Sequence, residues 1–128
     1  MKLLVIDDEP HIRDMMRMTL ETAGHDIVEA STGDEGLSLF GDGRNVDLVV
    51  LDQKMPGMDG LETLRRIKKL KPRTPVLMVT AFGSIDLAVD AMKLGATDFL
   101  RKPMTPEALR GAVEAAAANV EPARPAAS

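Results

Sequence analysis

The chain has 128 residues, 45% of them hydrophobic and 28% charged, with a formal net charge of −4. That length holds one domain with a single well-buried core, and the acidic balance gives no electrostatic reason to expect nucleic-acid binding. Without cysteine, and with three Phe as its only aromatic residues, the chain excludes a disulfide framework, thiolate chemistry and a platform for stacking bases.

Lys2 to Ile6 is an apolar run that stops at Asp7-Asp8-Glu9-Pro10. It reaches a strand too early to be a signal peptide, and no later stretch is long enough to cross a bilayer, so a cytoplasmic, membrane-free protein is expected. Pro10 suits the first turn of a helix, where its missing N–H is no loss. That helix runs to about Ala23 with Ile12, Met16, Thr19, Leu20 and Ala23 on one face, and Gly24 suits the left-handed position that ends it. Asp26 to Ser31 reads as a second strand and Gly33 to Phe40 as a short helix.

After the loop Gly41 to Asn45 comes the apolar run Leu48 to Leu51, which ends on Asp52 and a loop punctuated by Pro56, Gly57 and Gly60. Four apolar residues without polar alternation suit a strand covered on both faces of a parallel sheet. Asp59 to Leu70 forms the next helix. Its Leu61, Leu64, Ile67 and Leu70 are surrounded by Arg65, Arg66, Lys68, Lys69 and Lys71, a run read as a solvated basic face. Pro72 and Pro75 precede the strand Val76 to Thr80.

Ser84 is the expected N-cap of a helix through Leu94, closed by Gly95. Ile85, Ala88, Val89 and Met92 read as its core face, which makes Leu87, Ala91 and Leu94 a surplus apolar stripe, the expected surface for a partner. Thr97 to Arg101 is the fifth strand, Lys102-Pro103 follows, and Thr105-Pro106 opens a last helix to about Val120. Residues 121–128 read as a tail or the start of a linker.

Five strands alternating with five helices predict one α/β domain over residues 1–120 with a parallel sheet and right-handed crossovers. The strand order 2-1-3-4-5, the flavodoxin-like (βα)5 arrangement, places its switch point between strands one and three. The first strand ends at Asp7-Asp8, the third at Asp52, the fourth at Thr80 and the fifth at Lys102, and in a parallel sheet these ends share one edge. Clustered carboxylates share a proton or bind a cation. Oxygen ligands without His or Cys favour Mg²⁺, which keeps phosphate company. A metal, a lysine, a hydroxyl and a nucleophilic aspartate together suit phosphoryl transfer. Taken singly, each residue has an ordinary reading: Asp8 and Glu9 at a helix N-terminus, Thr80 as a strand-end hydroxyl, Phe99 as core, Lys102 as a solvated lysine.

Together, Asp7-Asp8, Asp52 followed by Met55-Pro56-Gly57-Met58-Asp59-Gly60, Thr80-Ala81, and Gly95-Ala96 leading through Asp98-Phe99 to Lys102-Pro103 closely resemble the receiver domain of two-component response regulators. The wording from Val79 to Pro103 is most similar to receivers of enhancer-binding regulators. The resemblance implies a phosphoacceptor switch that catalyses only its own aspartyl phosphorylation and dephosphorylation. Asp52 would take a phosphoryl group from a sensor histidine kinase or phosphotransfer protein, and Asp8, Asp52 and the Lys54 carbonyl would hold Mg²⁺, with Asp7 acting mainly through water. Thr80, Lys102 and the backbone of Gln53, Lys54 and Ala81 would contact the phosphoryl oxygens. Phe99 would turn inward when Thr80 moves, and a homodimer would form through the helix 4–strand 5–helix 5 surface. The Lys102-Pro103 bond is expected to be cis.

Gln53 and Met104 depart from the commonest pattern of that family. Little consequence is expected of Gln53, whose backbone N–H is the part facing phosphate, while Met104 would loosen its corner. Lys54 and Phe82 fall at positions that tune phosphate lifetime, and the bulky Phe82 predicts slow autodephosphorylation. A haloacid-dehalogenase-like phosphatase wants an acid two residues after its nucleophile. That position is Lys54 after Asp52, and it is Glu9 after Asp7, followed by helix-starting Pro10. A dinucleotide site needs glycines where Asp7-Asp8-Glu9-Pro10 stands.

Overall fold

The computed structural model describes residues 1–81 and 84–118. Phe82 and the tail at 121–128 lie outside the described residues. The chain alternates strand and helix throughout: β1 (Lys2–Ile6), α1 (Pro10–Thr22), β2 (Asp26–Ala30), α2 (Gly33–Phe40), β3 (Leu48–Leu51), α3 (Gly60–Leu70), β4 (Val76–Thr80), α4 (Ile85–Lys93), β5 (Asp98–Arg101) and α5 (Pro106–Ala118). The five strands form one parallel sheet in the order β2-β1-β3-β4-β5.

The continuous apolar runs of β1, β3 and β4 follow from a sheet covered on both faces. Leu4, Ile6, Val49, Leu51, Val76 and Met78 point to one side, where they meet Phe40, Leu64, Ile67 and Ala91 from α2, α3 and α4. Leu3, Val5, Leu48, Val50, Leu77 and Val79 point to the other, against Met16 and Leu20 of α1 and Leu109, Val113 and Ala116 of α5. β2 and β5, at the sheet's edges, are less completely covered.

Register builds the functional edge. Ile6 pairs with Leu51, so the next residues, Asp7 and Asp52, emerge side by side, and the Asp52 N–H donates to the Ile6 carbonyl at 3.0 Å. On the other side Thr80 pairs with Arg101, and the Lys102 N–H donates to the Thr80 carbonyl at 3.0 Å. The Lys102-Pro103 bond is cis, as expected.

Two sequence expectations fail. The core face of α4 is the reverse of the one read from its spacing. Ala91 is fully buried and Leu94 packs on the core, whereas Ile85, Val89 and Met92 are 84%, 44% and 49% exposed. Leu87 is half-buried beside the loop after β3. Both stripes repeat at helical spacing, so the pattern does not fix the phase. Phase is set where the chain returns through Gly95, at φ +101°, and the Ala96 N–H donates to the Ala91 carbonyl at 2.9 Å. The other correction concerns the basic run on α3. Arg65, Arg66 and Lys69 are exposed, but Lys68 is not a solvated residue. Its ammonium donates to the carbonyls of Thr74 at 2.5 Å and Pro72 at 3.3 Å, and burial lowers its pKa.

The assignment of α4 gives a direct test. Leu94→Ala should destabilise the domain by about 1–3 kcal/mol, below the full range for a completely buried leucine. Val89→Ser and Met92→Ser should each change stability by no more than about 0.5 kcal/mol. Urea denaturation of the three variants checks this, and the opposite ranking would restore the sequence-based face.

Candidate phosphoryl-transfer site

Above the carboxyl ends of β1, β3 and β4 an open cavity of about 430 Å³ is lined by Asp8, Glu9, Pro10, Asp52, Lys54, Ala81 and Lys102. Asp7, beside Asp8 and Asp52, has no exposure, and Asp52 is 6% exposed. Lys102 reaches in from the end of β5, its ammonium 2.7 Å from Asp7 Oδ2 and 3.5 Å from Asp52 Oδ2. One cation thus bridges two buried carboxylates.

Backbone and hydroxyl donors also hold Asp7 and Asp52 in place. Asp7 Oδ1 accepts the Glu9 N–H at 2.9 Å, which holds the turn into α1. Asp52 Oδ1 accepts the Gln53 N–H at 2.8 Å, and the buried Thr80 hydroxyl bonds the same carboxylate. Among the described residues no buried side-chain polar atom lacks a partner.

Burial pushes the Asp52 pKa above the usual carboxylate range, and the neighbouring Asp7 charge pushes it further. Lys102, the Thr80 hydroxyl and the Gln53 N–H oppose the rise without cancelling it. With three clustered carboxylates and one ammonium, the site holds more acidic groups than its lysine can neutralise.

The donor set fits a hard divalent cation. Asp7, Asp8 and Asp52 offer carboxylate oxygens lying within 4.8 Å of one another. Asp8 is exposed at the rim while the other two are buried. Oxygen donors alone, in a site short of positive charge, match Mg²⁺ better than zinc or copper.

Asp7, Asp8, Asp52, Lys54, Thr80, Ala81 and Lys102 are thus gathered at one edge, with the Gln53 N–H among them. Phe99 is not in the cluster. It sits in β5 opposite Met78, half-buried, and borders a separate cavity of about 460 Å³ with Ser84, Ile85, Ala88 and Arg101.

Sequence reasoning missed Arg13. Its guanidinium donates to the Asp7 carbonyl at 2.7 Å and to Glu29 of β2 at 3.2 Å, bracing the turn that carries the acids. Arg13 and Arg17 stand one turn apart on α1 and both pair with Glu29. The spacing was a visible signal, but its partner was not. The Gln53 side chain, expected to matter little, bonds the Leu61 N–H at 2.8 Å and Asp59 at 3.3 Å.

The raised Asp52 pKa has a definite consequence for stability. A carboxyl group that binds its proton more tightly when folded costs nothing below its unfolded pKa and destabilises the fold as pH rises through its folded pKa. Asp52→Asn should therefore be more stable than the parent at neutral pH without divalent ions, with the difference shrinking on acidification. Thermal unfolding of both proteins across that range checks it, and an Asn variant less stable at neutral pH would contradict it.

Among the described residues no helix is long and apolar enough to cross a membrane. The family described as the response regulator receiver domain matches residues 3–114. The chain is 38% identical over 130 residues to the transcriptional regulatory protein FixJ of Bradyrhizobium diazoefficiens, covering 94% of this chain and 58% of that protein. It is 38% identical to GlrR of Escherichia coli K12, covering 94% of this chain and 27% of GlrR. The chain thus spans less than two thirds of the length of these curated relatives. Among solved structures, a receiver domain protein from Clostridium thermocellum superposes with a TM-score of 0.86 at 42% identity, covering 91% of this chain and 94% of that one. The receiver domain of NtrX from Brucella abortus gives 0.86 at 39%, covering 91% and 98%. The chain belongs to the response regulator receiver domain family, the signalling domain of two-component systems.

Proposed function

We propose that Asp52 is the phosphoacceptor and that a phosphohistidine on a sensor histidine kinase or phosphotransfer protein is its donor. The carrying observation is the surround of Asp52: Lys102 at 3.5 Å, the Gln53 N–H at 2.8 Å and the Thr80 hydroxyl all point donors at one carboxylate. In the transfer an Asp52 oxygen attacks phosphorus as the P–O bond forms. The P–N bond to the donor imidazole breaks, and its electron pair stays on the ring nitrogen. Lys102, anchored by Asp7, offsets charge on the phosphoryl oxygens, and Thr80 with the backbone N–H groups of Gln53, Lys54 and Ala81 donates to them. Asp8, Asp52 and the Lys54 carbonyl would hold Mg²⁺, with Asp7 acting through water. The ion supplies neutralising charge to the transferring group.

The relatives FixJ and GlrR are transcriptional regulatory proteins by name, and a transcriptional output for a longer protein containing this domain follows that likeness. A kinase donor and such an output both belong in the cytoplasm.

The switch begins at Thr80. Drawn to a phosphoryl group on Asp52, its hydroxyl would open space toward Phe99, whose ring already borders a cavity. The face that moves carries the exposed Ile85, Val89 and Met92. These three residues, in place of Leu94, which packs on the core, and the half-buried Leu87, are the anchors we assign to a homodimer through α4, β5 and α5. Full switching from 1:99 to 99:1 takes a differential affinity of about 5.5 kcal/mol.

With a small-molecule phosphodonor and Mg²⁺, the parent should gain one acid-stable, alkali-labile phosphoryl group that Asp52→Asn lacks. Undiminished labelling of that variant, read by intact-protein mass, would refute the acceptor. For the switch, beryllofluoride with Mg²⁺ should promote association in sedimentation, and Val89→Asp/Met92→Asp should abolish it. Association retained by the double variant would move the interface elsewhere.

A further inference from the structure

Gln53 does more than present a backbone N–H. Its carbonyl accepts the Gly60 N–H at 2.8 Å, its side-chain oxygen accepts the Leu61 N–H at 2.8 Å, and its amide nitrogen donates to Asp59 Oδ2 at 3.3 Å. Asp59 in turn caps α3, with Oδ1 accepting the Glu62 N–H at 2.9 Å. Gln53 and Asp59 thus take up the free N–H groups of the first turn of α3 between them. At the other end of the same residue, the Gln53 N–H is the donor held 2.8 Å from Asp52 Oδ1.

Packing closes the bracket. A Cβ at Gly60 would lie 2.3 Å from the Asp52 carbonyl oxygen, 2.7 Å from Gln53 Cα and 2.9 Å from Gln53 Oε1. The helix start is pressed against the Asp52–Gln53 peptide with no room for a side chain, so that peptide has little freedom to rotate.

We propose that the Gln53 side chain is a positioning residue for phosphoryl transfer: it locks the Asp52–Gln53 peptide onto the start of α3 and so aims the Gln53 N–H at the reacting group. The role rests on Asp52 being the acceptor. Losing the bracket exposes the Leu61 N–H to water, a small cost for a helix end at the surface. A donor aimed at developing charge is worth far more to the rate than to stability, since removing one costs about 10²–10³ in rate. A loosened donor should cost a fraction of that.

The discriminating variants are Gln53→Glu and the paired Gln53→Glu/Asp59→Asn. In the first, the introduced carboxylate keeps the bond from Leu61 but faces the Asp59 carboxylate, and the two repel. In the second, the asparagine amide donates back across the same gap, and Asn still serves as a helix cap. Labelling by acetyl phosphate with Mg²⁺ is followed for parent, both variants and Asp52→Asn, as maximal rate and as the donor concentration giving half of it. Gln53→Glu should lower the maximal rate about tenfold with the half-saturating concentration changed less than about twofold. The paired variant should recover to within about threefold of the parent. Parent-like labelling of Gln53→Glu, or a paired variant no faster than the single one, overturns the positioning role while leaving Asp52 as acceptor. Labelling that persists in Asp52→Asn overturns the acceptor assignment and this role with it.

Discussion

A single ammonium group between two buried carboxylates is the interaction on which the molecule turns. The pairing of Ile6 with Leu51 forces Asp7 and Asp52 to leave the sheet next to each other, and the sheet's covered faces deny them water. Burying a charge costs several kcal/mol unless it is paired and hydrogen-bonded. Lys102 answers Asp7 at 2.7 Å and Asp52 only at 3.5 Å, and Asp52 keeps a raised pKa. The cluster is held together yet left short of positive charge. A cation at the rim, beside exposed Asp8, would offset that deficit, and all the more so once a phosphoryl group on Asp52 adds negative charge of its own.

The same edge is tied to the outer layers by short links. Arg13 fastens the Asp7 carbonyl to Glu29 of the edge strand β2. The cap shared by Gln53 and Asp59 fastens the Asp52 peptide to α3. Thr80 touches Asp52 from β4, and its partner in register, Arg101, lies in β5 two residues beyond Phe99. A change at Asp52 therefore has a rigid side, toward α3, and a looser side, toward the cavity between α4 and β5. That asymmetry suits the proposed switch, in which the acceptor would be held still while a distant face moves.

How much of this could be read from the sequence depended on whether the signal was local. β1, β3 and β4 were legible because strands covered on both faces are apolar without interruption, and their terminal residues named the cluster. The caps at Ser84, Gly24 and Gly95 were local too. The phase of α4 was not, because Ile85, Val89 and Met92 and the stripe of Leu87, Ala91 and Leu94 both repeat at helical spacing. Hydrophobicity even favours the stripe that ends up exposed. Lys68 read as one more solvated lysine because the carbonyls it binds belong to the loop beyond the helix. Gln53 and Arg13 were passed over for a similar reason: their partners, Leu61 and Asp59 for one and Glu29 for the other, come together only when the chain folds.

The charge deficit at Asp7, Asp8 and Asp52 is tested most directly by thermal unfolding with and without millimolar Mg²⁺, on the parent and on Asp8→Ala. A ligand that binds the folded cluster and not the dispersed acids raises stability by about 2.7 kcal/mol at a hundred times its dissociation constant, a shift of several degrees for a domain of this size. A cation site built on Asp8 requires that rise in the parent and its loss in Asp8→Ala. No rise in the parent, or an equal rise in both proteins, would contradict it.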